Sequence, residues 1–149
     1  MTHYCFDDRQ IYWQTLEGFE HLQYSILDID QAAAIITVLF KFAARQQIVL
    51  HRHKVLNKTL VIQGEHRLYH ADGTLKETRA VGTYTVSPAS EEPHREGGGA
   101  DDAIVLFAIH GDSLLYEILD DAGQVVATLN AGDFVELYRA QTQAMCSLR

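Results

Sequence analysis

Apolar residues along this chain fall into short runs, several of them strictly alternating with polar ones, and each run ends at a turn signal. The runs cover residues 22–29, 34–43, 48–53, 58–62, 66–70, 83–87, 104–110, 114–119, 125–129 and 134–138. Between them lie breaks such as Gln63-Gly64, Ala71-Asp72-Gly73, Ser87-Pro88, Gly97-Gly98-Gly99, Asp121-Ala122-Gly123 and Ala131-Gly132-Asp133. Many short strands at this spacing predict an all-β sandwich or barrel. No window keeps a helical period for long, and only residues 140–148 read as a short terminal helix. Within 35–42, Val38, Phe40 and Phe42 alternate with Leu39 and Lys41, so the aromatic face is expected to point inward. The organisation that follows is one domain over 1–149: an N-terminal arm (1–21), the β unit (22–138) and a C-terminal tail (139–149).

One internal repeat sharpens the topology. His70-Ala71-Asp72-Gly73 aligns with Asp120-Asp121-Ala122-Gly123, and in both copies a second glycine, Gly82 or Gly132, follows nine residues after the first. Each second glycine opens an apolar-alternating stretch beginning at Tyr84 or Phe134. Two hairpins of the same shape are expected, as a jelly roll of two Greek keys would contain.

Bulk properties then remove several functions. A chain of 149 residues with 47% hydrophobic content suits a single core. The net charge of −8 is spread over acidic pairs such as Asp7-Asp8, Glu91-Glu92 and Asp120-Asp121, with no basic stripe to offset it. That balance repels phosphate backbones, so neither nucleic acid nor an anionic membrane is an expected partner. The amino terminus lacks a basic segment followed by an apolar one, and the longest apolar stretch, 32–40, is too short to span a bilayer. A cytoplasmic location is expected, with Cys5 and Cys146 as two reduced thiols.

Eight histidines are many for this length. His3 and His21 lie in the arm and are expected at the surface. His66 and His70 share one strand face after Gly64 and suit a polar surface as well as a pocket wall. His110 ends an apolar run. His51 and His53 differ, because residues i and i+2 of a strand point to one side, ~7 Å apart, and can meet at one ion. Neutral imidazole is a good ligand for Zn, Fe, Ni and Cu.

From His51 the chain reads His-x-His, three residues, Asn57, six residues and Gly64; further on, Gly82 is followed after five residues by Pro88, and His94 comes six later. These spacings resemble the two motifs of the cupin superfamily. The resemblance covers residues 13–138, and the preamble Trp13…Gly18…Leu27 is similar to ChrR-like and acetylacetone or dihydroxyacetophenone dioxygenase-like cupins. Arg45 stands where the family has a leading glycine, Asn57 where it has a glutamate ligand, and Ser90 where the second motif has glycine. The resemblance implies a jelly-roll barrel with one divalent ion on His51, His53 and His94, iron above all, with zinc, nickel or manganese as alternatives. It further implies a dioxygenase acting on a small enolisable ketone or phenolic substrate, and a homodimer. A zinc-binding regulatory cupin and a metal-free barrel that holds a small ligand are the other two readings.

Around this centre the remaining candidates are Glu92 and Glu96, which flank His94 at i−2 and i+2. Either is placed to be a fourth ligand, a partner for His94 or a general base. The opposing reading makes residues 91–96 a charged, solvated loop that runs into a mobile triple-glycine lid. Asn57, His110, Tyr84 and Tyr116 complete the set expected to line the pocket or touch substrate.

Overall fold

The computed structural model describes residues 4–148. Twelve strands and one helix follow one another among these residues: β1 (Gln14–Thr15), β2 (Leu22–Asp30), β3 (Ile35–Phe42), β4 (His51–His53), β5 (Leu56–Gln63), β6 (Glu65–Tyr69), β7 (Leu75–Ala80), β8 (Tyr84–Ser87), β9 (Arg95–Gly98), β10 (Ala103–His110), β11 (Leu114–Leu119), β12 (Val125–Asn130) and α1 (Ala131–Ser147). One antiparallel sheet has the order β1-β2-β3-β10-β5-β8. Two three-stranded sheets, β12-β11-β4 and β7-β6-β9, lie apart from it in pairing. Backbone bridges Gln47↔Gly97 and His51↔His94 join these two small sheets along one seam.

Alternation decides the core. Val38 and Phe42 of β3, Val105, Phe107 and Ile109 of β10, and Val61 of β5 are all at most 2% exposed. They face the interior, and Phe40 joins them with its ring 4.9 Å from that of Phe107. The outer face of β3 is covered by the arm: Asp8 accepts hydrogen bonds from Lys41 Nζ (2.7 Å) and Trp13 Nε1 (2.8 Å).

The repeat is real in its first half. In both hairpins the residue before the turn donates across it (His70 to Thr74, Asp120 to Gln124), and the turn glycine donates back (Gly73 to His70, Gly123 to Asp120). Both glycines have φ above 80°, in the left-handed region. The second halves diverge. Gly82 leads into strand β8, but residues 134–138, expected as a strand, lie inside helix α1. The cause is local: Asp133 Oδ2 accepts the Asn130 N–H at 2.8 Å, tying off the first turn. Phe134 then packs inward, and the helix continues through the expected 140–148 segment to Ser147.

Two further differences have physical reasons. β7 was invisible because Leu-Lys-Glu-Thr-Arg-Ala has no apolar alternation; it is an edge strand held by pairing to β6 alone. The triple glycine is no mobile lid. Gly97 and Gly98 belong to β9, Gly99 follows it, and all three are buried. A Cβ on Gly97 would sit 1.9 Å from the Gln46 carbonyl oxygen, so glycine is what lets two backbones touch. Arg45, in the position of the family's glycine, keeps the glycine conformation at φ 61°.

Candidate metal centre

His51 and His53 leave β4 on one face, both buried. His94 is backbone-paired with His51 through N–H···O bonds of 3.0 and 2.8 Å, which sets its ring beside theirs. Glu96, two residues on in β9, shares that face and is 3% exposed. One ligand atom from each of His51, His53, His94 and Glu96 lies within 4.8 Å of all the others. Thus three imidazoles and one carboxylate converge from two chain segments joined by the seam.

Glu96 Oε2 lies 2.7 Å from His51 Nε2, 3.5 Å from His53 Nε2 and 3.4 Å from His94 Nε2. His53 Nε2 and His94 Nε2 are 3.1 Å apart. Four donors set about 2.0–2.1 Å from a single ion would stand roughly 3.4 Å from one another, so most of these separations already match. The tautomer of His51 strengthens the fit. Its Nδ1–H donates to the Val49 carbonyl (2.8 Å), so a neutral ring turns a bare Nε2 lone pair toward the carboxylate. Two lone pairs at that distance repel unless a proton or a cation lies between them. The residues therefore fit a divalent ion.

Electrostatics favour the ligating forms of His53, His94 and Glu96. Burial lowers His53 to about 4, the carboxylate of Glu96 opposing that effect only in part. His94 is lowered for the same reason. Burial alone would raise Glu96, but its close contacts with the imidazoles of His51, His53, His66 and His94 hold it well below the ordinary carboxylate range.

The other candidates take different places. Asn57 is buried in β5 and both ends of its amide are engaged: Oδ1 accepts the Tyr116 hydroxyl (2.7 Å) and Nδ2 donates to Val55 (3.0 Å). Tyr116 stands opposite His53 in β11, its ring 5.0 Å from that imidazole. Burial, and then the charge of Glu96, push its phenol well above its usual value, so it stays a neutral donor. Tyr84 is 59% exposed on β8 and points away from the cluster. Glu92 is exposed as well and pairs with Lys76 at 3.3 Å. His110 ends β10 and lines neither of the cavities described below. His21 and His70 are exposed, and His3 lies outside the described residues.

His66 is the residue that sequence reasoning left undecided. It is fully buried, and its Nε2 lies 2.7 Å from Glu96 Oε1. Its register opposite Gly98, two residues from Glu96, could not be read from a run of five residues.

Two cavities meet at the cluster. One, of about 40 Å³, is apolar and lies beside His51, Glu96 and Tyr116; its walls include Phe40, Phe107 and Phe134. The other, of about 320 Å³, is polar, lies beside His53, His66 and His94, and carries the ion pairs Lys76–Glu92 and Arg79–Glu77 on its wall. Glu96 and Phe107 line both.

No protein-family model and no curated protein matches this sequence. Solved structures do. The fold matches that of solved cupins. An RmlC-like cupin from Ralstonia eutropha JMP134 is similar at a TM-score of 0.73 and 19% identity, over 97% of this chain and 89% of its own. An acetylacetone dioxygenase from Acinetobacter johnsonii is similar at 0.70 and 15% identity, over 95% and 93%. A structure of Rhodobacter sphaeroides SigE with the anti-sigma ChrR gives 0.53 and 25% identity, over 67% of this chain and 50% of that one.

Proposed function

We propose that this chain is a mononuclear metal-binding cupin that holds its ion on His51, His53, His94 and Glu96 and acts as a dioxygenase. The observation that carries the metal reading is the convergence of these four buried donors within 4.8 Å. Glu96 supplies from β9 the carboxylate that Asn57 does not. A bound divalent ion, iron first, would serve as Lewis acid and as the meeting point of an enolate and dioxygen.

The chain's own residues set the substrate. The apolar walls beside His51 favour a small hydrocarbon body and exclude water. In the polar cavity beside His53 and His94 the cations Lys76 and Arg79 are each paired with a glutamate of the same wall, Glu92 and Glu77, so an oxyanion such as an enolate or phenolate would be held by the ion itself. Tyr116 keeps its proton and holds Asn57, so these two shape the wall without drawing charge from the site. Small enolisable ketones and phenolic ketones combine such a hydrocarbon body with an oxyanion.

Fold similarity to an acetylacetone dioxygenase supports this reading, although fold does not determine chemistry. The test is anaerobic loading with Fe(II) followed by oxygen uptake with β-diketones and hydroxyacetophenones. Stoichiometric oxygen consumption with one of them is expected; none with any of them overturns the dioxygenase assignment.

A regulatory zinc site is the second reading, favoured by one observation: four protein donors suffice to saturate tetrahedral zinc. Spectroscopy on the cobalt-substituted protein separates the two. An exchangeable water on the ion supports catalysis, and a closed four-coordinate site supports regulation.

A further inference from the structure

Only one oxygen of Glu96 faces the three imidazoles. The other, Oε1, is held by His66 Nε2 at 2.7 Å. A carboxylate only accepts, so Nε2 of the neutral ring carries the proton and Nδ1 is left as an acceptor. Nδ1 is buried and has no hydrogen-bond partner among the described residues. The ring as a whole is 0% exposed and stacks on Phe42, centroids 5.0 Å apart and planes 20° from parallel. An imidazole with an unsatisfied nitrogen is a poor choice for such an apolar seat, where phenylalanine would pack without a lone pair to bury. Among the described residues the one polar bond its ring makes is the one to Glu96.

Strand geometry aims that bond. His66 of β6 pairs with Gly98 of β9, and Glu96 lies one same-face position along. Gly98 has no side chain to fill the space opposite His66, and a Cβ there would meet Phe42 O at 2.8 Å. The His66 ring therefore reaches diagonally to the carboxylate.

We propose that His66 is a positioning residue of the metal centre: it clamps Glu96 Oε1 so that Oε2 is turned toward His51, His53 and His94. This rests on the metal-binding reading above. A free glutamate side chain has three torsions to order, and a partner that fixes a ligand's orientation typically changes metal affinity 10–100-fold.

The experiment is a Co(II) titration of the wild-type chain, His66→Phe and His66→Gln, followed by the visible d–d bands of the bound cobalt. His66→Phe preserves the stack on Phe42 and removes the donor; it is expected to bind about 10–100-fold more weakly and to shift the bands. His66→Gln keeps an N–H for Oε1 and is expected to restore the wild-type bands and most of the affinity. Wild-type affinity and bands in His66→Phe overturn the proposal, as does a glutamine chain as weak as the phenylalanine one. Should His66→Phe not fold, the glutamine chain decides alone: wild-type bands support the clamp and altered bands overturn it. If the wild-type chain takes up no cobalt, the metal centre itself is wrong and the clamp falls with it.

Discussion

A buried imidazole ligates only while neutral, and burial gives this centre that property before any ion arrives. His53 titrates at about 4 in the fold, against 6.5 as a free side chain. Between those values the unfolded chain binds a proton that the folded one does not, so stability rises with pH across the window. The contribution is complete above pH 6.5 and is lost as pH falls toward 4. It amounts to about 3 kcal/mol. Glu96, held low, adds a loss of the same sign below its ordinary range. Thermal unfolding of the metal-free protein from pH 7.5 to pH 4 is expected to show a falling midpoint; a flat profile would remove the buried neutral His53. At this scale the sequence was informative where spacing carried the message. The His51–His53 pair needed only strand periodicity, and His94 needed the motif. His66, Glu92, Tyr84 and His110 depended on register and facing, which residue type does not encode.

Among the elements, β9 and α1 govern the site most. β9 carries Glu96 and lies against residues 46–48, with Gly97 in backbone contact with Gln46. In Gly97→Ala the new Cβ meets backbone, which cannot swing aside as a side chain would. A loss of about 3 kcal/mol in urea unfolding is expected, with weaker metal binding as Glu96 is displaced. An unchanged urea midpoint would contradict the close approach. Helix α1 closes the apolar cavity with Phe134, and Gln141 fastens it. The Gln141 amide takes over where β1 ends, accepting the Ile26 N–H and donating to the Ile26 carbonyl, each at 2.9 Å. Gln141→Leu leaves both backbone groups buried without partners, and a cost of about 3 kcal/mol is expected in the same assay. A change below about 0.5 kcal/mol would show that water replaces the amide. Strand positions with apolar alternation were legible in the chain. The polar edge strand β7, the glycine strand β9 and the first half of the helix, before residue 140, were not, since each depends on a neighbour or a cap.

The whole molecule should report its ion through stability. A ligand that binds only the folded state at 100 times its Kd adds about 2.7 kcal/mol. A raised unfolding midpoint on adding Fe(II) or Zn(II), reversed by chelator, is expected; no shift with any divalent ion would leave the four donors without a function. Assembly is a second prediction at this scale. β8 is a free edge of the six-stranded sheet and exposes Tyr84 and Val86, and β1 is the other edge. We expect a homodimer, because an apolar edge strand pairs readily with a copy of itself. Sedimentation at micromolar concentration checks this, and a monomer with Val86 unprotected from exchange would refute it. Among the described residues no helix is long and apolar enough to cross a membrane. Cys5 and Cys146 are both free and exposed.

By itself the sequence determined the β class, most strand positions, the two glycine turns and the His51–His53 pair, because alternation, left-handed turns and His-x-His spacing are local properties of a chain; His94 joined the pair only through the family resemblance. Tertiary structure alone brought Glu96 against the three imidazoles and His66 against Glu96. Both side chains owe their place to the seam between two small sheets, where strands distant in sequence are brought into one register and a charged loop becomes a buried strand.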